Sequence, residues 1–135
     1  MAFGQDGLGV LVVTGITGLE DPRKSLLLMA HRLASLPRAV LANCEHPKSS
    51  FNFGWSHGRE TLESGSPDVG KGSFYANPIF DNPVEDAELI EKYPSFVHPN
   101  IWPDERHLPG FSEAFKALGK IVVDVGVLVA KQCDR

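Results

Sequence analysis

The apolar residues between Leu108 and Arg135 recur with the period of a helix. They are spaced three and four residues apart, which places them on one side: Phe111, Phe115, Leu118, Val122, Val125 and Val129. The opposite side is charged: Glu113, Lys116, Lys120, Asp124 and Lys131. Proline suits the first turn of a helix, so Leu108-Pro109-Gly110 predicts where this long helix begins.

A strand is the competing interpretation for the end of this segment. Residues Ile121–Ala130 are rich in valine, which favours strands. Gly119 and Gly126 each cost a helix about 1 kcal/mol relative to alanine. We favour the helix, because a strand would divide the aromatic residues between two faces. Val123 and Val127 lie near the charged side, so the last turns are apolar almost all round and require cover from other protein.

Two elements are predicted in the first part of the chain. The apolar run Gly7–Ile16 is bounded by glycines and indicates a strand that is buried on both faces. Asp21-Pro22 then opens a helix as its N-cap and first residue. Its apolar stripe ends before Pro37: Leu26, Met29, Ala30, Leu33 and Leu36. A shorter helix is predicted from Pro37 to Asn43, so residues 1–44 form a strand–helix unit.

Residues 45–108 have the composition of a long loop region. Eight of the ten prolines lie between Pro47 and Pro109, among many glycines, serines and aromatic residues. A short strand is expected near Ser73–Ala76 and a helical turn within Val84–Tyr93. So much loop in one domain usually carries function or packs over a larger neighbour. Residues 109–135 then form the long helix.

Composition and charge restrict the class of protein. A chain of 135 residues with 42% hydrophobic residues is typical of one globular domain. The net charge is −4, and no basic block is present, so nucleic acid is not an expected partner. Val10–Val13 is too short for a signal peptide or a membrane span. Cys44 and Cys133 indicate free thiols and a cytoplasmic location.

Several motifs of nucleotide-binding and catalytic proteins are matched only in part. Gly65–Lys71 satisfies the first seven positions of a phosphate-binding loop, but Gly72 stands where Ser or Thr is required. Gly7 and Gly9 precede their strand, whereas a dinucleotide fingerprint follows one. His57–Glu60, beside Ser56, could supply an acid/base couple, yet a nucleophile elbow is lacking. We favour a Gly/Pro turn that leads into a strand for the first motif, glycines before a buried strand for the second, and a polar loop for the third.

The five histidines do not have the spacing of a metal site. None begins a His-x-Asp or His-x-Glu pair, and the Cys44 and His46 pair has no second pair at zinc-like spacing. They are His31, His46, His57, His98 and His107. We therefore expect no metal site and no catalytic residues in this chain.

The aromatic segments allow two interpretations. Phe51–Trp55 and Phe74-Tyr75 place five aromatic residues within a short stretch. Aromatic side chains with a few polar groups line small-molecule pockets. They also fill ordinary cores, and composition alone does not separate the two.

Four segments in a fixed order carry a family resemblance: Phe51–Gly58, Lys71–Pro78, Asn100–Pro103 and Leu108–Phe111. Together they resemble the N-terminal region of plant 2-oxoglutarate- and Fe(II)-dependent dioxygenases of the isopenicillin N synthase-like superfamily. The resemblance extends from about Phe3 to Arg135. In that family the early strand corresponds to residues 9–16, and the Asn-x-Trp-Pro and Leu-Pro-Gly-Phe sequences introduce the long helix.

The resemblance implies an α+β fold, the N-terminal helix and strand portion of a double-stranded β-helix (jelly-roll) oxygenase without the complete barrel. Family members hold Fe(II) with a His-x-Asp pair and a distant His, and 2-oxoglutarate with Arg-x-Ser, all from the barrel. Arg23-Lys24-Ser25 spells the last of these at the start of a helix, where we regard it as coincidental. The expected chain is thus an accessory fragment, inactive alone, that acts on a small-molecule substrate only in a full-length form.

Residues that would face the substrate pocket in such an enzyme follow from the same resemblance: Asn52, Trp55, His57, Phe74, Tyr75 and Asn77. The alternative function is a non-catalytic protein-interaction module or truncated pseudo-enzyme. Its basis is the apolar end of the long helix, which also predicts self-association of the isolated chain.

Overall fold

A computed structural model describes Phe3 and residues 6–133 of the chain. The elements, in chain order, are α1 (Glu20–Ala34), α2 (Arg38–Ala42), a 3-10 turn (Pro47–Ser49), β1 (Gly54–His57), β2 (Gly72–Tyr75), α3 (Ala87–Lys92), α4 (Pro94–Val97) and α5 (Phe111–Cys133). The fold is therefore mixed helix and strand, with a long C-terminal helix. None of the helices in the described residues has the length and apolar character needed to cross a membrane.

The core lies where α1, α5 and the small sheet meet. Its buried residues come from distant parts of the chain: Leu33, Cys44, Trp55, Leu108 and Phe111. Around them pack the partly buried Leu26, Met29, Leu36, Leu41, Phe74, Ile101, Trp102 and Phe115. The predicted stripe is thus confirmed at Leu26, Met29 and Leu33 in α1 and at Leu36 just after it, whereas Ala30 is exposed.

The two strands form an antiparallel pair. Gly54 lies opposite Tyr75, Trp55 opposite Phe74, and His57 opposite Gly72. The predicted strand at Ser73–Ala76 is confirmed one residue earlier, but β1 was not predicted. Gly54 has a φ of +76°, and a Cβ there would lie 1.8 Å from the carbonyl oxygen of Cys44. Only glycine therefore lets β1 pass so close to the end of the α2 segment.

The helical predictions are confirmed with small shifts at the ends. The long helix runs over Phe111–Cys133, so the strand alternative is wrong; its predicted end at Arg135 lies outside the described residues. Helix α1 begins at Glu20, with Leu19 at the N-cap position, so the assignment of Asp21 as the N-cap is wrong. Asp21 instead contributes negative charge in the first turn, which the helix dipole favours. The predicted short helix and helical turn are present as α2 and α3.

The prediction of a buried strand at Gly7–Ile16 is wrong. Over residues 8–16 there is no helix or strand, and in the described part of the chain no backbone hydrogen bond reaches them. Leu8, Val10 and Val12 are 89%, 61% and 85% exposed. A strand forms only against a neighbour that accepts its hydrogen bonds, and β1 and β2 pair with each other elsewhere.

Candidate functional site

The pleat of the two-stranded sheet sorts the predicted pocket residues onto two faces. Paired residues share a face, and successive residues alternate. Trp55, Phe74 and His57 therefore lie on the core face, and Tyr75 lies on the other. The indole of Trp55 is buried over Gly72, where a Cβ would lie 2.2 Å from the ring. The sheet thus uses Trp55 as a core residue.

Phe74 joins an aromatic cluster that connects β2 with α5. Its ring centroid lies 5.0 Å from that of Phe111, 5.9 Å from that of Phe115 and 5.7 Å from that of Trp102. The rings of Phe111 and Phe115 meet Phe74 edge to face, an arrangement that contributes beyond simple burial. The cluster fixes the first turns of α5 against the sheet.

A hydrogen-bond network beside the cluster fixes the loop after β2. Asn77 and Asn100 bond reciprocally: the backbone N–H of Asn77 donates to Oδ1 of Asn100, and Nδ2 of Asn100 donates to the carbonyl of Asn77, both at 2.7 Å. Nδ2 of Asn100 and Nε1 of Trp102 also donate to Oδ1 of Asp81, at 3.0 and 2.8 Å. Lys116 of α5 forms an ion pair with Oδ2 of Asp81. These bonds, led by the one from Lys116, lower the pKa of Asp81 to about 2.

A cleft that is open to solvent lies between β2 and α5, and we call it the β2–α5 cleft. Phe74 and Phe115 of the cluster and Asn77 of the network lie along it. Its volume is about 440 Å³, and the residues around it include Asn52, Phe74, Tyr75, Asn77, Phe96 and Val123. Four of the six predicted pocket residues therefore border one cavity. The amide of Asn52 reaches across its edge and donates to the carbonyl of Ser95, at 3.4 Å. The lining is mostly apolar and aromatic with a few amides, as in small-molecule sites.

The other two predicted pocket residues, Trp55 and His57, lie at a separate groove. This groove has a volume of about 890 Å³ and lies between α2 and the loop after β1, with Arg38 and Lys71 on its rim. The exposed ring of His57 stacks on Trp55, with centroids 6.0 Å apart. Its Nε2–H donates to the carbonyl of Val69, at 3.1 Å. The structure thus does not bring all six residues together.

The phosphate-loop match and the Ser56–Glu60 match do not have the geometry that their chemistry would require. Lys71 pairs with Glu60 at 2.6 Å, and β2 follows it directly, whereas a phosphate-binding loop would lead into a helix. Ser56 and His57 are neighbours in β1 and so point to opposite faces of the sheet. A Ser–His couple cannot form in that geometry. The described residues contain no cluster of three or more His, Cys, Asp or Glu side chains able to hold a metal ion.

Sequence reasoning missed Asp81 as the centre of the network. Its partners lie 19, 21 and 35 residues away in the chain. Spacings of this length carry no periodic signal. In the sequence, Asn100 and Trp102 stand out only as parts of the Asn-x-Trp-Pro segment. In the structure, this segment connects the loop after β2 with α5 through Asp81.

Comparison with known proteins finds a distant and partial similarity. The chain is 31% identical over 107 residues to the 2-oxoglutarate-Fe(II) type oxidoreductase ppzD of Metarhizium majus (strain ARSEF 297). The match covers 72% of this chain and 30% of that protein, so the chain spans about a third of the relative's length. No family model and no solved structure matches the chain. At this distance the similarity supports the superfamily of 2-oxoglutarate- and Fe(II)-dependent oxidoreductases, and nothing finer.

Proposed function

We propose that this chain is the N-terminal accessory region of a 2-oxoglutarate- and Fe(II)-dependent oxygenase that oxidises a small molecule. The observation that carries the proposal is the similarity to an oxidoreductase of that type, which spans most of this chain and a minority of the relative. The described residues do not fit Fe(II), since no group of three ligands converges among them. In this proposal the ligands of Fe(II) and 2-oxoglutarate belong to another part of a longer protein.

The unpaired segment at residues 8–16 supports an accessory role. It consists of apolar and β-branched residues and glycines, with no charged side chain, and its backbone groups have no partners among the described residues. Such a segment is suited to the edge of a sheet, where each backbone group would gain a hydrogen bond. We propose that it extends the sheet of the catalytic barrel.

The exposed side of α5 supports the same role. Val122, Val123, Val127 and Leu128 are all exposed, as the excess of apolar positions in the last turns predicted. Burial of one such side chain contributes about 1.5–3 kcal/mol, so covering this surface would stabilise a larger assembly considerably. Between this surface and β2, the β2–α5 cleft would form part of the substrate pocket.

Mapping the complete transcript tests the proposal. We expect an open reading frame that continues past the codon of Arg135 and encodes a His-x-Asp pair, a distant His and an Arg-x-Ser pair. A stop codon directly after Arg135, in a transcript without alternative splicing, would refute it. Calorimetric titration of the 135-residue chain with Fe(II) and 2-oxoglutarate is the second test. Micromolar binding by this chain alone would contradict the assignment of the ligands to another segment.

A non-catalytic interaction module is the second candidate, favoured by the same exposed residues 8–13 and α5 surface. It predicts that the 135-residue chain associates with itself. Sedimentation velocity over a range of protein concentrations would show dimers or larger species. A monodisperse monomer at the highest concentration would rule out self-association.

A further inference from the structure

Two histidines connect distant parts of the chain beside the β2–α5 cleft. The ring centroids of His46 and His98 are 3.8 Å apart, with an angle of 32° between the planes. The ring of Phe53 lies 5.8 Å from that of His98. His46 directly precedes the 3-10 turn, and His98 directly follows α4. The stack therefore holds α4 against this turn, and α4 carries Phe96 at the edge of the cleft.

The buried surroundings of the stack favour an uncharged imidazole at His46. His98 donates its Nδ1–H to the carbonyl of Pro99, at 2.7 Å. Nδ1 of His46 is buried and has no hydrogen-bond partner among the described residues. A proton on that nitrogen would be a buried donor without an acceptor, which is unfavourable. Two charged rings at this separation would also repel each other.

The surrounding charges favour the neutral state on balance. Lys48 and Glu91 line a cavity of about 270 Å³ together with the two rings. Lys48 opposes protonation, whereas Glu91 would favour it. Burial is the main cause that lowers the pKa of His46 below 6.5, and the charges of His98 and Lys48 lower it further.

We propose that the His46–His98 stack is a proton-sensitive latch that fastens α4, and with it one wall of the β2–α5 cleft, at neutral pH. The closed arrangement binds a proton less well than an arrangement in which the rings are in water. Acid therefore favours the open arrangement. For each unit by which the pKa of His46 in the closed arrangement lies below 6.5, protonation shifts the equilibrium towards the open arrangement about tenfold. The latch stands on the geometry alone, and only its effect on a substrate would rest on the proposed function.

Hydrogen exchange of the 135-residue chain, corrected for the intrinsic pH dependence, tests the latch. We compare segment 93–98 at pH values about one unit above and about one unit below 6.5. In the unmodified chain we expect protection of this segment to fall several-fold in acid, while protection of α5 stays constant. His46→Phe keeps an aromatic ring and cannot be charged, so it should abolish the change. His31→Phe, at an exposed position of α1, should leave it intact.

Two results would overturn the proposal. One is unchanged protection of segment 93–98 in acid, and the other is acid opening that persists in His46→Phe. If that variant does not fold, NMR titration of the His46 imidazole in the unmodified chain replaces it. A midpoint below 6.5 supports the latch, and a midpoint at or above 6.5 refutes it.

Discussion

Trp102 donates its indole N–H to Oδ1 of Asp81 at 2.8 Å, and this bond joins the Asn-x-Trp-Pro segment to the loop after β2. The same carboxylate accepts from Asn100 and pairs with Lys116 of α5. One side chain therefore connects three parts of the chain. Asn100, one of its donors, also bonds with Asn77, which borders the β2–α5 cleft.

Removal of this carboxylate should destabilise the fold. We expect Asp81→Ala to lower the free energy of unfolding by about 2 kcal/mol, because Trp102, Asn100 and Lys116 lose a charged acceptor. Urea denaturation followed by tryptophan fluorescence measures the change. Asp124→Ala is the matched control, since Asp124 forms an exposed pair with Lys120 within one helix. It should cost less than about 0.5 kcal/mol. Equal losses in the two variants would contradict the role of Asp81.

The contribution of Asp81 should disappear in acid. Its pKa falls from 3.8 to about 2 on folding, chiefly through Lys116, so the unfolded chain binds the proton more readily. The stabilisation is therefore complete above pH 3.8 and is lost as the pH falls towards 2. Urea denaturation at several pH values measures the difference in the free energy of unfolding between the unmodified chain and Asp81→Ala. This difference should be constant near neutrality and should become smaller in acid. If the difference stays constant down to pH about 2, ionisation of Asp81 contributes nothing to stability.

The two glycines of α5 should respond to alanine in opposite ways. A Cβ at Gly119 would lie 2.3 Å from Cβ of Pro78, so Gly119→Ala forces the loop away and should cost about 1–3 kcal/mol. In the described structure, no atom other than those of the adjacent residues and the nearby helix backbone lies within 4 Å of a Cβ at Gly126. Gly126→Ala should therefore stabilise the helix by about 1 kcal/mol. Thermal unfolding checks both, at roughly 4 °C per kcal/mol. Destabilisation by Gly126→Ala would mean that this side of α5 is already covered.

The two thiols should differ in reactivity. Cys44 is buried, which raises the pKa of its thiol, and its Sγ–H donates to the carbonyl of Val40, at 3.5 Å. Cys133 is exposed. Since the thiolate is the reactive form, a disulfide reagent at neutral pH should label Cys133 quickly and Cys44 only as the chain unfolds. Cys133→Ser should remove the fast phase alone. Rapid labelling of both thiols would show that the core opens readily.

The spacing of apolar residues predicted the helices correctly, because the backbone hydrogen bonds of a helix lie within one segment of the chain. Helix α5 was predicted because the spacing from Phe111 to Val129 specifies a helix without knowledge of any partner. The strand at residues 7–16 was predicted from a continuous apolar run between glycines and is wrong, because a strand also needs a neighbour. Strand β1 was missed because its four residues, Gly54–His57, contain one core side chain and no alternation that a reader could recognise.

The sequence by itself determined the long helix, the α1 stripe, the excess of apolar residues at the end of α5 and the resemblance to an oxygenase family. Each of these follows from residues that lie close together in the sequence. Only the tertiary structure decided that Asn52, Phe74, Tyr75 and Asn77 share one cleft while Trp55 and His57 border another. It also decided that Asp81 holds the loops to α5. These relationships join side chains far apart in the chain, and the strand register and the helix packing set their distances.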